Sequence, residues 1–510
     1  MKRKVGFAII GLVLLGGTLR AQSYVEEALM VSRIQPGGTA RIQAMGGVQN
    51  ALGGDISTAF YNPAGLGMFN KSDFSFSPAY VITNYASSYL GNKSSDTRNN
   101  LIIPNLGVAF HSGQDGQKGI WGGTFGINFN RINSYNETFT YSGTNADNSI
   151  IDYFINKANG TGTSQFGTSG FNYNSPTGLA YFNYLVGPQD ILSPPGPADQ
   201  YFTDVTGVPL QKEVVKNSGA QNQWSLSYGV NFKDKIFLGA GVGITTLTYK
   251  SEKIYSETFS AAGQPMSFMK LTEALSLDGT GINLTAGAIY RPMNRFQLGF
   301  SAATPTSYEI NDNYSASMST SWNAFVYQPG KTLNEESAST DNVSSTYTLV
   351  TPWRLSLGLT YFFGKHGFIS ADTEWLNYSK TKYTGSEDYS SDNNLIRKTY
   401  QTTFNIRAGG EFRLDKYRFR AGYSLMPDPF QTSNNNTGGL SIVVVNNDRS
   451  ISSITTGAGY RTEKFYIDLA LIFTSGDTSY RPYQLNYALD PLVTQSKKTT
   501  TIMVTVGIPF

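Results

Sequence analysis

From Asp73 to the C-terminus, large apolar residues alternate with polar or small ones in segments of about ten residues. Side chains in a strand point to opposite faces in turn, so each segment has one apolar and one polar face. From Trp224 to Phe232, Trp224, Leu226, Tyr228, Val230 and Phe232 share a face and Ser225, Ser227, Gly229 and Asn231 share the other. From Arg354 to Phe363, Leu355, Leu357, Leu359, Tyr361 and Phe363 oppose Arg354, Ser356, Gly358 and Thr360. From Phe404 to Arg413, Phe404, Ile406, Ala408 and Phe412 oppose Asn405, Arg407, Glu411 and Arg413. Further on, Tyr417, Phe419, Ala421 and Tyr423 oppose Arg418 and Arg420. A soluble sandwich alternates as well, but its strands are shorter, about five to six residues. These segments are long and many begin or end in Tyr, Trp or Phe, as aromatic girdles at two lipid–water interfaces require. Arg354, Arg407, Arg418 and Arg420 then point into a lumen, where charge is tolerated.

The pattern predicts strands near Asp73–Ile82, Asn105–His111, Trp121–Ile132, Trp224–Lys233, Ile236–Tyr249, Leu275–Arg291, Phe296–Ile310, Pro352–Phe363, Phe368–Tyr378, Thr403–Leu414, Tyr417–Leu425, Ser452–Arg461, Phe465–Phe473 and Thr499–Phe510. That is an all-β fold, a transmembrane antiparallel barrel of about fourteen strands, an even number as bacterial single-chain barrels have. Short links (Ser112–Ile120, Lys233–Lys235, Arg291–Arg295, Gly364–Gly367, Leu414–Lys416, Arg461–Lys464) alternate with long polar stretches at 82–104, 133–222, 250–274, 311–350, 379–402, 426–451 and 474–498. Short periplasmic turns and long extracellular loops are the pattern of outer-membrane barrels, and the even count puts both barrel ends in the periplasm. The 133–222 stretch is expected to be either a lid or a surface loop, with a turn at Pro194–Pro197.

Two segments stand apart from the alternation. Lys2, Arg3 and Lys4 precede the apolar run Val5–Gly17, and Ala21 is a plausible last leader residue. This is a secretory signal peptide over 1–21, since the run is shorter than the ~20 residues of a span. Residues 22–71 are rich in Gly and small residues and are expected to form a compact, partly helical hatch or plug, leaving 72–510 as the barrel with its long extracellular loops. The Gly-Gly pairs there lack the context of a phosphate loop and read as tight turns.

Composition narrows the function. Charged residues are 15% and aromatic residues 13% of 510 positions, with 53 Gly, no Cys and two His. No disulfide, thiolate site or Cys nucleophile is available. His111 and His366 fall at turns without an orienting partner or nucleophile nearby, and no Gly-x-Ser-x-Gly elbow occurs. The acidic groups Glu335-Glu336 and Glu387-Asp388 with Asp392 lack the spacing of a calcium loop. We expect no enzyme, no metal and no cofactor. Removing the leader takes Lys plus Arg from 39 to 35 against 36 Asp plus Glu, so the charge of +3 becomes −1 and a nucleic-acid partner has no compositional support.

The stretch Gly38-Thr39-Ala40-Arg41, Met45-Gly46-Gly47, Leu52-Gly53-Gly54-Asp55 and Ala59-Phe60-Tyr61-Asn62-Pro63-Ala64-Gly65-Leu66 resembles the FadL/TodX family of outer-membrane transporters for long-chain fatty acids and other hydrophobic compounds. Weaker likenesses run through Leu298–Pro305, Asp372–Ser379, Arg418–Tyr423 and Gly457–Tyr460. The resemblance implies a fourteen-stranded barrel with an N-terminal hatch and capture of ligand by extracellular loops. It also implies an apolar internal pocket and lateral release where a wall strand bends. By that resemblance Asn62, Pro63 and Ala64 seat the hatch against the wall. Gly inside a strand marks a bulge or close approach, so Gly122, Gly123 and Gly126 place the bend in the third strand, facing Asn62-Pro63-Ala64. The four luminal arginines are the ligand-contact candidates. The alternating end Thr501–Phe510 resembles the signal read by the barrel-assembly machinery, with Phe510 as its terminal aromatic. The expected partners are a hydrophobic small molecule, outer-membrane lipids and that machinery. A second reading is a barrel that holds or shuttles secreted protein cargo at the cell surface.

Overall fold

The computed structural model describes residues 24–35, 37–113, 120–166, 174–188, 200–431, 448–485 and 490–510, with the backbone alone at Ile120 and Trp121. The leader and the Pro194–Pro197 turn lie outside the described residues. The wall consists of β1 (Asp73–Tyr89), β2 (Asn92–Gly113), β3 (Ile120–Ser134), β4 (Leu210–Phe232), β5 (Ile236–Thr258), β6 (Met266–Met293) and β7 (Phe296–Ala303 and Ser307–Gln328). It continues through β8 (Lys331–Ser339, Val343–Val350 and Arg354–Phe362), β9 (Gly367–Asn377), β10 (Thr402–Leu414), β11 (Tyr417–Met426), β12 (Ile451–Arg461), β13 (Tyr466–Tyr480) and β14 (Val493–Pro509). Each strand pairs antiparallel with its neighbours, and β1 pairs with β14 from Asp73↔Pro509 to Tyr89↔Val493, so the sheet closes as a fourteen-stranded barrel.

The barrel is apolar on the outside. Trp224, Leu226 and Tyr228 are 43%, 39% and 52% exposed, while Ser225 and Ser227 between them are 2% exposed. In water each such outward side chain would forfeit about 1.5–3 kcal/mol of burial. Repeated around the wall, that face is stable only against hydrocarbon. On β5 the outward apolar run extends from Ile236 to Ile244, and on β6 from Tyr290 to Ile282. These runs define the lipid band.

The strands continue past that band, which corrects several of the expected loops. Residues 82–104 form a β1–β2 ladder that runs to Ser88↔Lys93 and Tyr89↔Asn92, with the turn at Leu90-Gly91. Residues 250–274 and 311–350 are likewise mostly strand. Above the lipid nothing requires an apolar outer face, so the alternation loses its hydrophobic amplitude although Thr, Tyr and Ser still suit a pleated sheet. The 133–222 stretch also holds structure. Glu137–Thr144 pairs with the start of β4, and two helices follow, α4 (Ile150–Ala158) and α5 (Pro176–Phe182). Ile150, Phe154 and Leu179 pack with Met269, Met318, Trp322 and Tyr483 over the end of the barrel that carries the long connections.

Before the wall, residues 24–71 form α1 (Tyr24–Ser32), α2 (Ala40–Gln43), α3 (Thr58–Tyr61) and a 3-10 turn over Pro63–Met68. Most of this segment is buried, and its partners are inward residues of the wall.

Candidate functional site

The N-terminal segment rests on the wall through glycines. Gly229 on β4, Gly239 on β5, Gly287 on β6, Gly299 on β7 and Gly422 on β11 face it from inside the barrel. A Cβ on Gly239 would collide with Pro63, on Gly287 with Asn62, on Gly299 with the Asn50 carbonyl and on Gly422 with the Met45 backbone. Glycine there allows backbone to lie directly on backbone. Hydrogen bonds fix the seat. Asn62 Nδ2 donates to the Asn50 carbonyl at 2.6 Å and to the Phe300 carbonyl at 3.3 Å, while its Oδ1 accepts from Ala64 N at 3.2 Å. Ser301 Oγ donates to Asn50 Oδ1 at 2.9 Å, and Gln49 N and Asn50 N both donate to Asp372 Oδ2, at 2.7 and 2.9 Å. Unpaired backbone at membrane depth must be satisfied within the protein, and these side chains supply the partners.

The structure therefore seats Asn62-Pro63-Ala64 against β4 to β7, which corrects the expectation that they face the glycines of β3. Gly126 lies against Leu66 and Ile56, Gly123 against Tyr228 and Gly122 against His111. These glycines make room for neighbouring side chains in a wall that keeps register with β2 from Gly122 to Asn130. The irregularities of β3 lie on either side, between Ile120 and Gly122 and between Arg131 and Asn133. The ladder of β2 with β3 ends at Asn105↔Asn130. Beyond it, side chains of β2 meet the Glu137–Thr144 strand. Asp96 Oδ2 accepts from Thr140 N at 2.7 Å, Ser94 Oγ donates to the Thr140 carbonyl, and Arg98 Nη1 donates to Thr138 Oγ1 at 2.7 Å. This seam abuts the N-terminal segment, where Gln35 N donates to the Ile132 carbonyl at 2.8 Å.

The candidate arginines divide. Arg407 is buried, bonds Tyr61 and pairs with Glu374 at 2.8 Å. Arg420 is buried between Glu411 at 2.8 Å and Asp468 at 2.6 Å. Arg354 lies over the Phe60 ring at 5.2 Å and stands 3.8 Å from Glu374, so of the three it is the least tightly paired. Arg418 sits at the short-turn end of the barrel and donates to the carbonyls of Asp415 and Tyr417 at 2.5 and 2.8 Å, away from the other three. A small cavity opens beside Arg354. It is lined by Val31, Ser32 and Ile34 of the N-terminal segment and by Ile132, Gln221, Gln223, Thr306, Tyr308, Thr351, Pro352 and Leu376 of the wall. Its free volume is about 20 Å³, room for roughly one water, bounded by apolar surface and a few convergent polar groups.

Above the cavity α1 is held by tyrosines. Tyr383 donates to the Tyr24 carbonyl at 2.8 Å, Tyr400 to the Val25 carbonyl at 2.7 Å and Tyr347 to Glu27 Oε1 at 2.6 Å. Ser32 Oγ lies 3.2 Å from Thr381 Oγ1. The sequence reading missed Asn50, Gln221, Gln223 and these tyrosines. Gln221 and Gln223 share the inward parity of Ser225, a signal that was there to use. Tyr383 and Tyr400 lie where no alternation singles them out. Phe510 is 62% exposed and its N–H donates to the Ser72 carbonyl at 2.9 Å.

Residues 214–487, over half of the chain, match the family described as Outer membrane protein transport protein (OMPP1/FadL/TodX). Among solved structures, the chain is similar to a FadL homologue of Pseudomonas aeruginosa, with a TM-score of 0.52 and 15% identity over 94% of this chain and 99% of that one. It is similar to the toluene transporter TodX of P. putida, with a TM-score of 0.51 and 14% identity over 93% and 99% of the two chains. At such identities the likeness is one of fold. No curated protein sequence matches the chain.

Proposed function

The chain belongs to the OMPP1/FadL/TodX family of outer-membrane transporters of hydrophobic compounds, and from this premise we propose that it takes up long-chain fatty acids or similar amphiphiles passively, with the N-terminal segment 22–71 as a hatch and with lateral release. The observation that carries the reading is the shared cavity. Val31, Ser32 and Ile34 form one side of it and the wall forms the other. Displacing the N-terminal segment therefore enlarges the space a ligand enters. Ile34, Ile132 and Leu376 suit an acyl chain, and Arg354 with Gln221 and Gln223 suits a polar head. Among the luminal candidates Arg354 is half-buried and its carboxylate contact, 3.8 Å to Glu374, is longer than those of Arg407 and Arg420, so a ligand carboxylate displaces least there. The β2–β3 ladder stops at Asn105↔Asn130 next to the same segment, and Leu101 and Ile103 just past that point still face outward, which suits this lower end of the seam to lateral release.

The test is retention of a labelled long-chain fatty acid by the folded barrel, compared with an uncharged hydrocarbon. Arg354→Gln should weaken retention of the acid by roughly tenfold, about 1.4 kcal/mol, and leave the hydrocarbon unaffected. Equal losses for both would contradict a role for Arg354 at the head group, and retention of neither by the unaltered barrel would contradict the transport reading itself.

A further inference from the structure

The five described short turns hold eight Lys or Arg against three carboxylates: Lys233–Lys235, Arg291–Arg295, Gly364–Gly367, Leu414–Lys416 and Arg461–Lys464. The mature chain carries a net charge of about −1 on the leader reading above, so this periplasmic rim is positive while the rest of the molecule is negative. Pairing alone does not separate the two ends, since Lys93, Lys212, Lys250 and Lys270 at the other end are also exposed and form no ion pair among the described residues; what differs is the excess of cations over carboxylates. At the extracellular end Lys216 pairs with Glu252 at 3.1 Å, Lys331 with Glu336 at 3.3 Å, Arg481 with Asp490 at 3.0 Å and Lys497 with Glu137 at 2.5 Å. At the rim, among the described residues, Lys233, Lys235, Arg295, Lys365, Lys416 and Lys464 are exposed and form no ion pair.

Their height is set by their neighbours. Lys235 is followed by Ile236, 44% exposed, and Arg295 comes two residues after Met293, 58% exposed. Lys365 follows Phe363, Lys416 lies between Leu414 and Tyr417, and Lys464 precedes Phe465, all of them exposed outward. Each cation thus stands one or two residues beyond the last side chain of the lipid band. That is the level of the phospholipid headgroups in the periplasmic leaflet, and long basic side chains reach such a level readily.

We propose that this rim is a basic collar that binds the phosphate headgroups of anionic phospholipids in the periplasmic leaflet. The turns are spaced around half or more of the barrel, so the collar engages several lipids at once and does not form one pocket. Attraction of this kind rises with each Lys or Arg near the surface and is screened within a Debye length. It concerns the lipid around the barrel and stands apart from the ligand inside it.

The measurement is association of spin-labelled phosphatidylglycerol with the full mature barrel in phosphatidylcholine vesicles, against spin-labelled phosphatidylcholine as reference. The unaltered protein should prefer phosphatidylglycerol by about three- to tenfold at low salt, and 0.5 M NaCl should largely remove the preference, as screening over roughly 4 Å demands. Replacing Lys233, Lys235, Lys365, Lys416 and Lys464 together by Gln should bring the preference close to parity. Replacing Lys212, Lys216 and Lys250 at the other end by Gln should leave it in place. A heat-stability measurement on each variant establishes that the barrel is folded, since these side chains contribute to no ion pair within it. No preference in the unaltered protein, or an undiminished preference in the five-lysine variant, would overturn the proposal.

Discussion

Arg420 is buried on β11 between Glu411 and Asp468. Removing one partner from a buried pair leaves a charge without compensation, at a cost of about 3–5 kcal/mol. Arg420→Ala should therefore lower the unfolding free energy of the barrel by about that amount, because Glu411 keeps Arg413 and Arg41 while Asp468 keeps no paired cation among the described residues. The unfolding midpoint in urea, measured on barrel folded into lipid, checks this. A loss below about 1 kcal/mol would be the cost of an exposed pair and would contradict the buried network. Alternation with Phe419 and Ala421 already points Arg420 into the lumen, since parity along one strand says which face a residue takes. It does not say which strand supplies the partner, and Asp468 lies on β13, two strands away in the sheet. The same limit explains Arg418, which has the right parity but stands at the end of the strand, where the lumen ends.

At the scale of elements, the lipid-facing parts of the strands were legible and their extracellular extensions were not. The signal in β5 is strong from Ile236 to Ile244, where the outer face must be apolar, and fades beyond, where the ladder continues with Thr246, Thr248 and Lys250 outward. Helix α4 was hidden for a different reason: it is stabilised by partners far along the chain. Its N-cap Ser149 donates to Glu257, and Ile150 N donates to Glu257 Oε1 at 2.9 Å. Gln211 Nε2 and Tyr255 OH donate to the same carboxylate, both at 2.8 Å. Burial is the largest influence on Glu257 and raises its pKa above the ordinary value, although the four donors oppose it. A carboxyl that holds its proton more tightly in the folded state adds stability below its ordinary titration range, and this stability is lost as pH rises through the raised value. The protection of α4 amides from exchange, corrected for intrinsic rates, should then decrease from mildly acidic to neutral pH. Glu257→Gln should flatten the dependence. Protection that rises with pH would mean that the charged form is the one the cap prefers.

For the whole molecule, the count of fourteen strands, the inside-out distribution of apolar residues and the alternation of short turns with long connections were all present in the sequence. Each repeats many times, so local errors average out. The seat of the N-terminal segment was not, because it depends on glycines from many strands meeting one stretch of backbone in space. Assembly belongs to this scale as well. Phe510 follows Pro509, the last residue of β14, and is exposed next to the seam where β14 closes on β1. Deleting it should reduce the amount of barrel in the outer membrane several-fold while the chain still reaches the periplasm, as fractionation would measure. Normal outer-membrane yield would remove Phe510 from the assembly signal.

The central claim is that the N-terminal segment must move for a ligand to pass. The chain has no Cys, and Ser32 Oγ on α1 lies 3.2 Å from Thr381 Oγ1 on the wall side. A Ser32→Cys, Thr381→Cys protein therefore offers a single disulfide between the segment and the wall. Uptake of a labelled long-chain fatty acid through this barrel should fall at least tenfold when the bond is oxidised, a barrier of roughly 1.4 kcal/mol or more, and return on reduction. Uptake equal in the oxidised and reduced states, with the bond formed, would contradict the account.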